Sequence, residues 1–196
     1  MNTLSWEKQV TNMTNRIHSA LYQLNLCRHL LPETPKSNLV ISLIYPYVDY
    51  CCAAYTDMTI EQNLRLRKAM NACFRFIFNV RTDEHITLYY VRLRWLKVDA
   101  RRAYFVGCLL YKILETKQPS LLHSNFNCKI TISDRAIKTP RDMLSLPQCR
   151  PELYKRFFIL TLARFWNGLS QSIRSVTILA DFKQKLFSQL LVCASS

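Results

Sequence analysis

Two stretches place acidic side chains where phosphoryl chemistry would need them: the adjacent pair Asp83-Glu84, and Asp49 within Tyr47-Val48-Asp49-Tyr50. Holding two divalent ions requires carboxylates a few ångströms apart, commonly on a tight strand turn. Asp83 and Glu84 fall instead in a loop-like stretch at the end of NVRTD (79–83), and the residue after Asp49 is Tyr50, which cannot hold a metal. Asp49 therefore reads as the polar end of an apolar helix. The four histidines are scattered, with no Ser, Cys or acid pattern around them that suggests a triad. The two glycines, Gly107 and Gly168, are too few for a phosphate-cradling loop. The expectation is no catalytic residue, no cofactor and no small-molecule substrate.

Metal ligation fares no better. Of eight cysteines, only Cys51 and Cys52 are close in sequence, and structural zinc sites need C-x₂₋₄-C spacings. His123 and Cys128 make half a zinc knuckle without its other half. The opening MNTLSWEKQV lacks the charged-then-apolar pattern of a signal peptide, so an intracellular protein with reduced, mostly buried thiols is expected. The longest mostly apolar run, Leu39 to Val48, ends at Asp49 and contains Pro46, whereas a span needs ~18 apolar residues. No membrane partner is expected.

What remains is charge. Lys and Arg number 27 against 13 Asp and Glu, a formal +14 in 196 residues. Such an excess favours polyanions. Arg67 and Arg75 lie two helical turns apart around Asn71, Lys68 widens that stripe, and Arg101 with Arg102 opens a later helix. These five are the candidate phosphate contacts, for RNA or DNA without sequence preference. The bland alternative is that they solvate a helical surface.

The elements that must position them read as helices. Trp6, Val10, Met13, Ile17, Ala20, Leu24, Cys27 and Leu31 recur at steps of three and four, one apolar seam ended by Pro32. About three heptads favour a bundle helix over an intermolecular coiled coil. PETPKS (32–37) reads as a turn, and 38–54 as a buried central helix bent or restarted at Pro46. Residues 60–78 form a helix with Leu66, Met70, Cys73 and Ile77 inward. A short one around Ile86, Tyr90 and Leu93 follows, then 98–115 with Phe105, Leu109 and Ile113 inside. Periodicity fails over 116–151, where short strands at 129–133 and 143–146 are an option, and returns at 152–166. Thr177 is placed to cap a last helix to Leu191 carrying Phe182, Leu186 and Leu190; a frayed tail is the alternative.

The order of motifs resembles a known family. LVISLIYPYVDYC (39–51), NACFRFIFNVRTDEHIT (71–87), LRWLKVDARRAYFVGCLLYKIL (93–114), LSLPQCR (144–150) and RFWNGLSQSIR (164–174) carry the resemblance, after the Trp6 to Val10 start. It is similar to the post-palm region of reverse transcriptases of jockey-like, insect-type non-LTR retrotransposons (LINEs). The likeness covers nearly all of the chain and rests on Trp95-Leu96, Arg101-Arg102 and a Trp166-Asn167 turn. It implies that the palm and its Y-x-D-D acids lie upstream, before a helical thumb that grips the template-primer duplex. The chain would then be a fragment of an RNA-directed DNA polymerase, without the catalytic palm. Ser170 departs from the family's usual Pro after W-N-x-L.

The expected fold is mainly α, a helical bundle with a long irregular connector: 1–115 thumb-like bundle, 116–151 connector, 152–196 a C-terminal helical segment packed on it. Three functions stay open: a non-catalytic nucleic-acid-binding module, a component completing a separately encoded palm, and a relic with no selected task.

Overall fold

The computed structural model describes residues 6–126, 143–146 and 158–195, which are mainly α-helical and contain no strand. They divide into two compact units, Met1–Arg102 with Leu191–Ser196, and Ala103–Leu190. The division falls inside a helix that begins at Val98.

In the first unit α1 (Glu7–Leu26) buries Val10, Met13, Ile17, Leu21 and Leu24. Burial of each large apolar side chain contributes roughly 1.5–3 kcal/mol, so the seam, not intrinsic propensity, holds this helix. Leu21 replaces the expected Ala20 on the inner face, where Ala20 is only half-buried. The partner is α4 (Ile60–Phe78), whose start carries a reciprocal cap: Thr59 Oγ1 accepts from Gln62 N at 3.2 Å and Gln62 Oε1 accepts from Thr59 N at 3.0 Å. α4 is the centre of this unit, with Met70, Cys73, Phe74, Phe76 and Ile77 almost wholly enclosed.

Two expectations are corrected here. PETPKS is not a turn: Glu33 begins α2 (Glu33–Leu43), and Pro35 sits in its first turn, where backbone N–H groups have no helical acceptor to lose. Nor is 38–54 buried throughout, although the restart expected at Pro46 is found. It breaks after Leu43, restarts as α3 (Tyr45–Asp49) with Pro46 at its beginning, and leaves Ile41 and Leu43 nearly half exposed. Asn79 then ends α4 in the left-handed region, φ 55°, and α5 (Thr87–Leu93) follows. Phe74, Ile86 and Tyr90 form one apolar cluster, with Trp95 edge-on to Phe74 at 5.3 Å.

α6 (Val98–Thr116) opens the second unit from Ala103. Its inward residues are Val106, Leu110, Tyr111 and Ile113, not Phe105 and Leu109, which are half-buried. The buried arc is turned toward Gly107, where a Cβ would lie 2.6 Å from Leu186 Cδ2 and 3.0 Å from Phe165 Cε1. A bare backbone there admits two neighbouring side chains. A single turn, α7 (Ser120–His123), comes next, and α8 is Phe158–Gly168.

Trp166 and Asn167 belong to α8 rather than to a turn. Asn167 uses its amide sideways: Nδ2 donates to Leu144 O at 2.9 Å and Oδ1 accepts from Leu144 N at 2.8 Å. At 143–146 no strand is present, and Leu144 is held by the Asn167 amide of α8; the 129–133 option lies outside the described residues. After α9 (Gln171–Arg174), α10 (Leu179–Ser195) starts two residues beyond Thr177, which is exposed; its first turn closes on the Ile178 carbonyl. Phe182 and Leu186 are fully buried and Leu190 half-buried, with Phe182 stacked near Trp166 at 6.0 Å and Tyr111 at 4.5 Å.

Candidate nucleic-acid interface

The five basic residues sit in the first unit but not in one environment. Arg67 and Lys68 project from the middle of α4. Arg67 Nε donates to Asp99 Oδ2 at 2.5 Å, and its Nη2 also reaches that oxygen. Lys68 is exposed and makes no ion pair among the described residues. Arg75 lies two turns further on, about 12 Å at 1.5 Å per residue, and closes the loop after α4: Nε donates to Arg81 O at 3.3 Å and Nη2 to Thr82 O at 3.0 Å.

Arg101 closes the first turn of α6 and Arg102 follows it. Arg102 is deeply enclosed, its side chain 12% exposed. Its Nη1 donates to Asn63 Oδ1 at 2.9 Å, its Nη2 touches Met58 Sδ at 3.3 Å, and Asp99 Oδ1 lies 3.9 Å away. Burial, and Arg67 nearby, push its pKa down against the pull of Asp99. Arg101 holds Asp49 and lies over the Tyr45 ring, 4.1 Å from its centroid. The structure thus gathers Arg67 and Arg102 around one carboxylate, sets Arg101 against another, and leaves Arg75 apart.

The sequence reading missed the acids. Asp99 is three residues before Arg102, a spacing that puts both on one helical face, and it is also the acidic residue of the first turn of α6. Asp49 gave no such signal, since Arg101 is far away in sequence.

Carboxylates across this unit are engaged in the same way. Glu7 pairs with Arg65, Glu33 with Arg92, Asp83 with Arg81. Hydrogen bonds from Arg65 and Gln62 hold the Glu7 carboxyl below its usual range. Among the described residues no three His, Cys, Asp or Glu side chains converge as a metal site, and no helix is long and apolar enough to cross a membrane. The described cysteines Cys27, Cys51, Cys52, Cys73 and Cys108 are free, with Cys51 exposed; Cys128 of the half-knuckle lies outside the described residues. Compared with family models, curated proteins and solved structures, the chain matches none.

Proposed function

We propose that the chain is a non-catalytic basic module that binds RNA or DNA without sequence preference, corresponding to the post-palm thumb and C-terminal region of a jockey-like non-LTR reverse transcriptase. One observation carries the binding reading. In the first unit five carboxylates are each taken by an arginine, while Lys8, Arg16, Lys68 and Arg94 are exposed with no carboxylate partner among the described residues. In this unit part of the basic surplus is thus displayed to solvent rather than cancelled locally. Arg101 occupying both oxygens of Asp49 supports the non-catalytic part, because that carboxylate is already committed.

The test is an equilibrium titration of the purified chain against duplexes of unrelated sequence over a range of salt. Affinity should fall with salt at a slope of about −0.9 per phosphate contacted, equally for each sequence. Absence of binding at low salt would overturn the proposal. Primer extension should be absent with magnesium or manganese, and template-dependent incorporation would overturn the non-catalytic part.

A further inference from the structure

The Tyr47-Val48-Asp49-Tyr50 tetrapeptide sends its residues to different places. Val48 enters the core and Asp49 takes Arg101, while Tyr47 and Tyr50 face a cleft between α1 and α3 of about 350 Å³. Gln9, Asn12, Met13 and Arg16 line its other side, at helical spacings along α1. Tyr50 caps α3 and is 73% exposed, because Cys51 turns the chain away in the left-handed region at φ 53°. The Arg16 guanidinium lies over the Tyr47 ring, 5.6 Å from its centroid.

We propose that this cleft takes an unstacked base of a single-stranded RNA or DNA segment. The inference rests on the nucleic-acid reading above and adds which form of nucleic acid is preferred and where. The volume falls within the ~300–1,000 Å³ of ordinary ligand clefts. Its lining holds no carboxylate, so nothing there repels a phosphate. The Asn12 amide makes no hydrogen bond among the described residues and offers a donor and an acceptor to a base edge. Arg16, over the Tyr47 ring, keeps N–H groups for the adjoining phosphate. An exposed aromatic face, an amide and a cation match the face, edge and backbone of one nucleotide. A duplex hides the base faces, so this site would serve single strands alone.

The experiment uses the whole chain with a single-stranded oligonucleotide carrying 2-aminopurine, and with the duplex of the same sequence. Tyr50→Ala should weaken single-strand binding about 5- to 150-fold and abolish stacking quenching of the fluorophore. Duplex affinity and unfolding temperature should stay as in the parent, and Tyr50→Phe should retain both the affinity and the quenching. Unchanged single-strand affinity in Tyr50→Ala would overturn the cleft assignment and leave the proposed function standing. Equal losses on single strand and duplex would also overturn it. If the parent binds neither form, the underlying function fails and the cleft assignment with it.

Discussion

Arg101 donates from Nε and Nη2 to the two carboxylate oxygens of Asp49, at 2.5 and 2.6 Å, with each side chain about three-quarters enclosed. The pair ties the end of α3 to the first turn of α6, within the first unit. Removing Asp49 would strand a half-buried guanidinium. Asp49→Ala should therefore cost about 1–3 kcal/mol, and Asp49→Asn less, since one acceptor remains. Urea unfolding measures both. Equal stability of Asp49→Ala and the parent would mean the pair is worth no more than a surface ion pair.

A second dependence centres on Asn79. Its Oδ1 accepts from Arg28 Nε at 2.6 Å and from Lys36 Nζ at 3.1 Å, and Lys36 is 1% exposed, with its ammonium 5.5 Å from the Phe76 ring centroid. Asn79 also tolerates φ 55° better than most residues. Asn79→Gly keeps the backbone conformation but deletes the acceptor, so the expected cost is about 1–3 kcal/mol for a buried ammonium left unsatisfied. Adding Lys36→Met should recover most of it, because the stranded charge is gone. Additive losses in this cycle would show that Lys36 does not depend on Asn79.

The two glycines should respond in opposite directions. At Gly107 any Cβ meets Leu186 and Phe165 within 3.0 Å, whereas at Gly168 nothing lies within 4 Å. Gly168→Ala should be neutral or stabilising by up to about 1 kcal/mol through the unfolded chain. Gly107→Val should cost about 1–3 kcal/mol through overpacking. Gly107→Ala falls between, since its gain in helix propensity of about 1 kcal/mol opposes the contact. Thermal melts that place Gly107→Val above Gly168→Ala would refute the close approach.

Where a helix has one clear apolar stripe, its extent is legible: the periodicity predicts a helix over 60–78, and α4 spans it with Leu66, Met70, Cys73 and Ile77 inside. Pattern failed where a proline or a glycine decides between neighbours. Pro32 and Pro35 read as a turn because proline is a general breaker, yet both fit a helix start. Gly107 shifts the buried arc of α6 because the space it leaves is filled from other elements, which no single-helix pattern records. The basic residues were visible as a count and a stripe, but their partners were not. Arg101 finds Asp49, and Arg75 finds two carbonyls, through tertiary folding alone. The tyrosines of the α1/α3 cleft meet Arg16 only when α1 packs beside α3, so their spacing in the chain does not reveal the cleft.

Alkaline pH should destabilise the first unit. Burial pushes the Cys73 thiol up to about 12, and burial with the Asp49 charge pushes Cys52 up to about 11, from an ordinary 9.0. Tyr45 and Tyr90 are raised by burial as well. Above pH 9 the unfolded chain releases thiol protons that the folded chain retains. The stabilisation is thus complete below the unfolded value and is lost as pH rises through about 11 to 12. Cys73→Ala, studied under reductant, should be less stable at neutral pH by about 1 kcal/mol but lose stability less steeply above pH 9. Parallel pH profiles for variant and parent would refute the buried-thiol contribution.

Charge reversal along α4 should separate phosphate contacts from structural ones. Lys68→Glu breaks no ion pair among the described residues, so it should leave thermal stability within about 0.5 kcal/mol of the parent. Arg67→Glu sets a carboxylate against Asp99 and should lose up to about 1 kcal/mol, since that pair is half-exposed. Arg75→Glu removes two hydrogen bonds to the Arg81 and Thr82 carbonyls and puts an anion in the last turn of α4, where the helix dipole disfavours it; a loss of about 1–2 kcal/mol is expected. Binding should follow a different order. Each residue that contacts a phosphate should shallow the salt slope on duplex DNA by about one unit when reversed, whatever its effect on folding. Lys68→Glu is the sharpest case because stability and affinity then move independently. A parent-like slope for Lys68→Glu, alongside a shallower one for Arg67→Glu, would move the contact surface off Lys68 and toward the Asp99 cluster. Parent-like slopes for all three would make this face of α4 a solvated one.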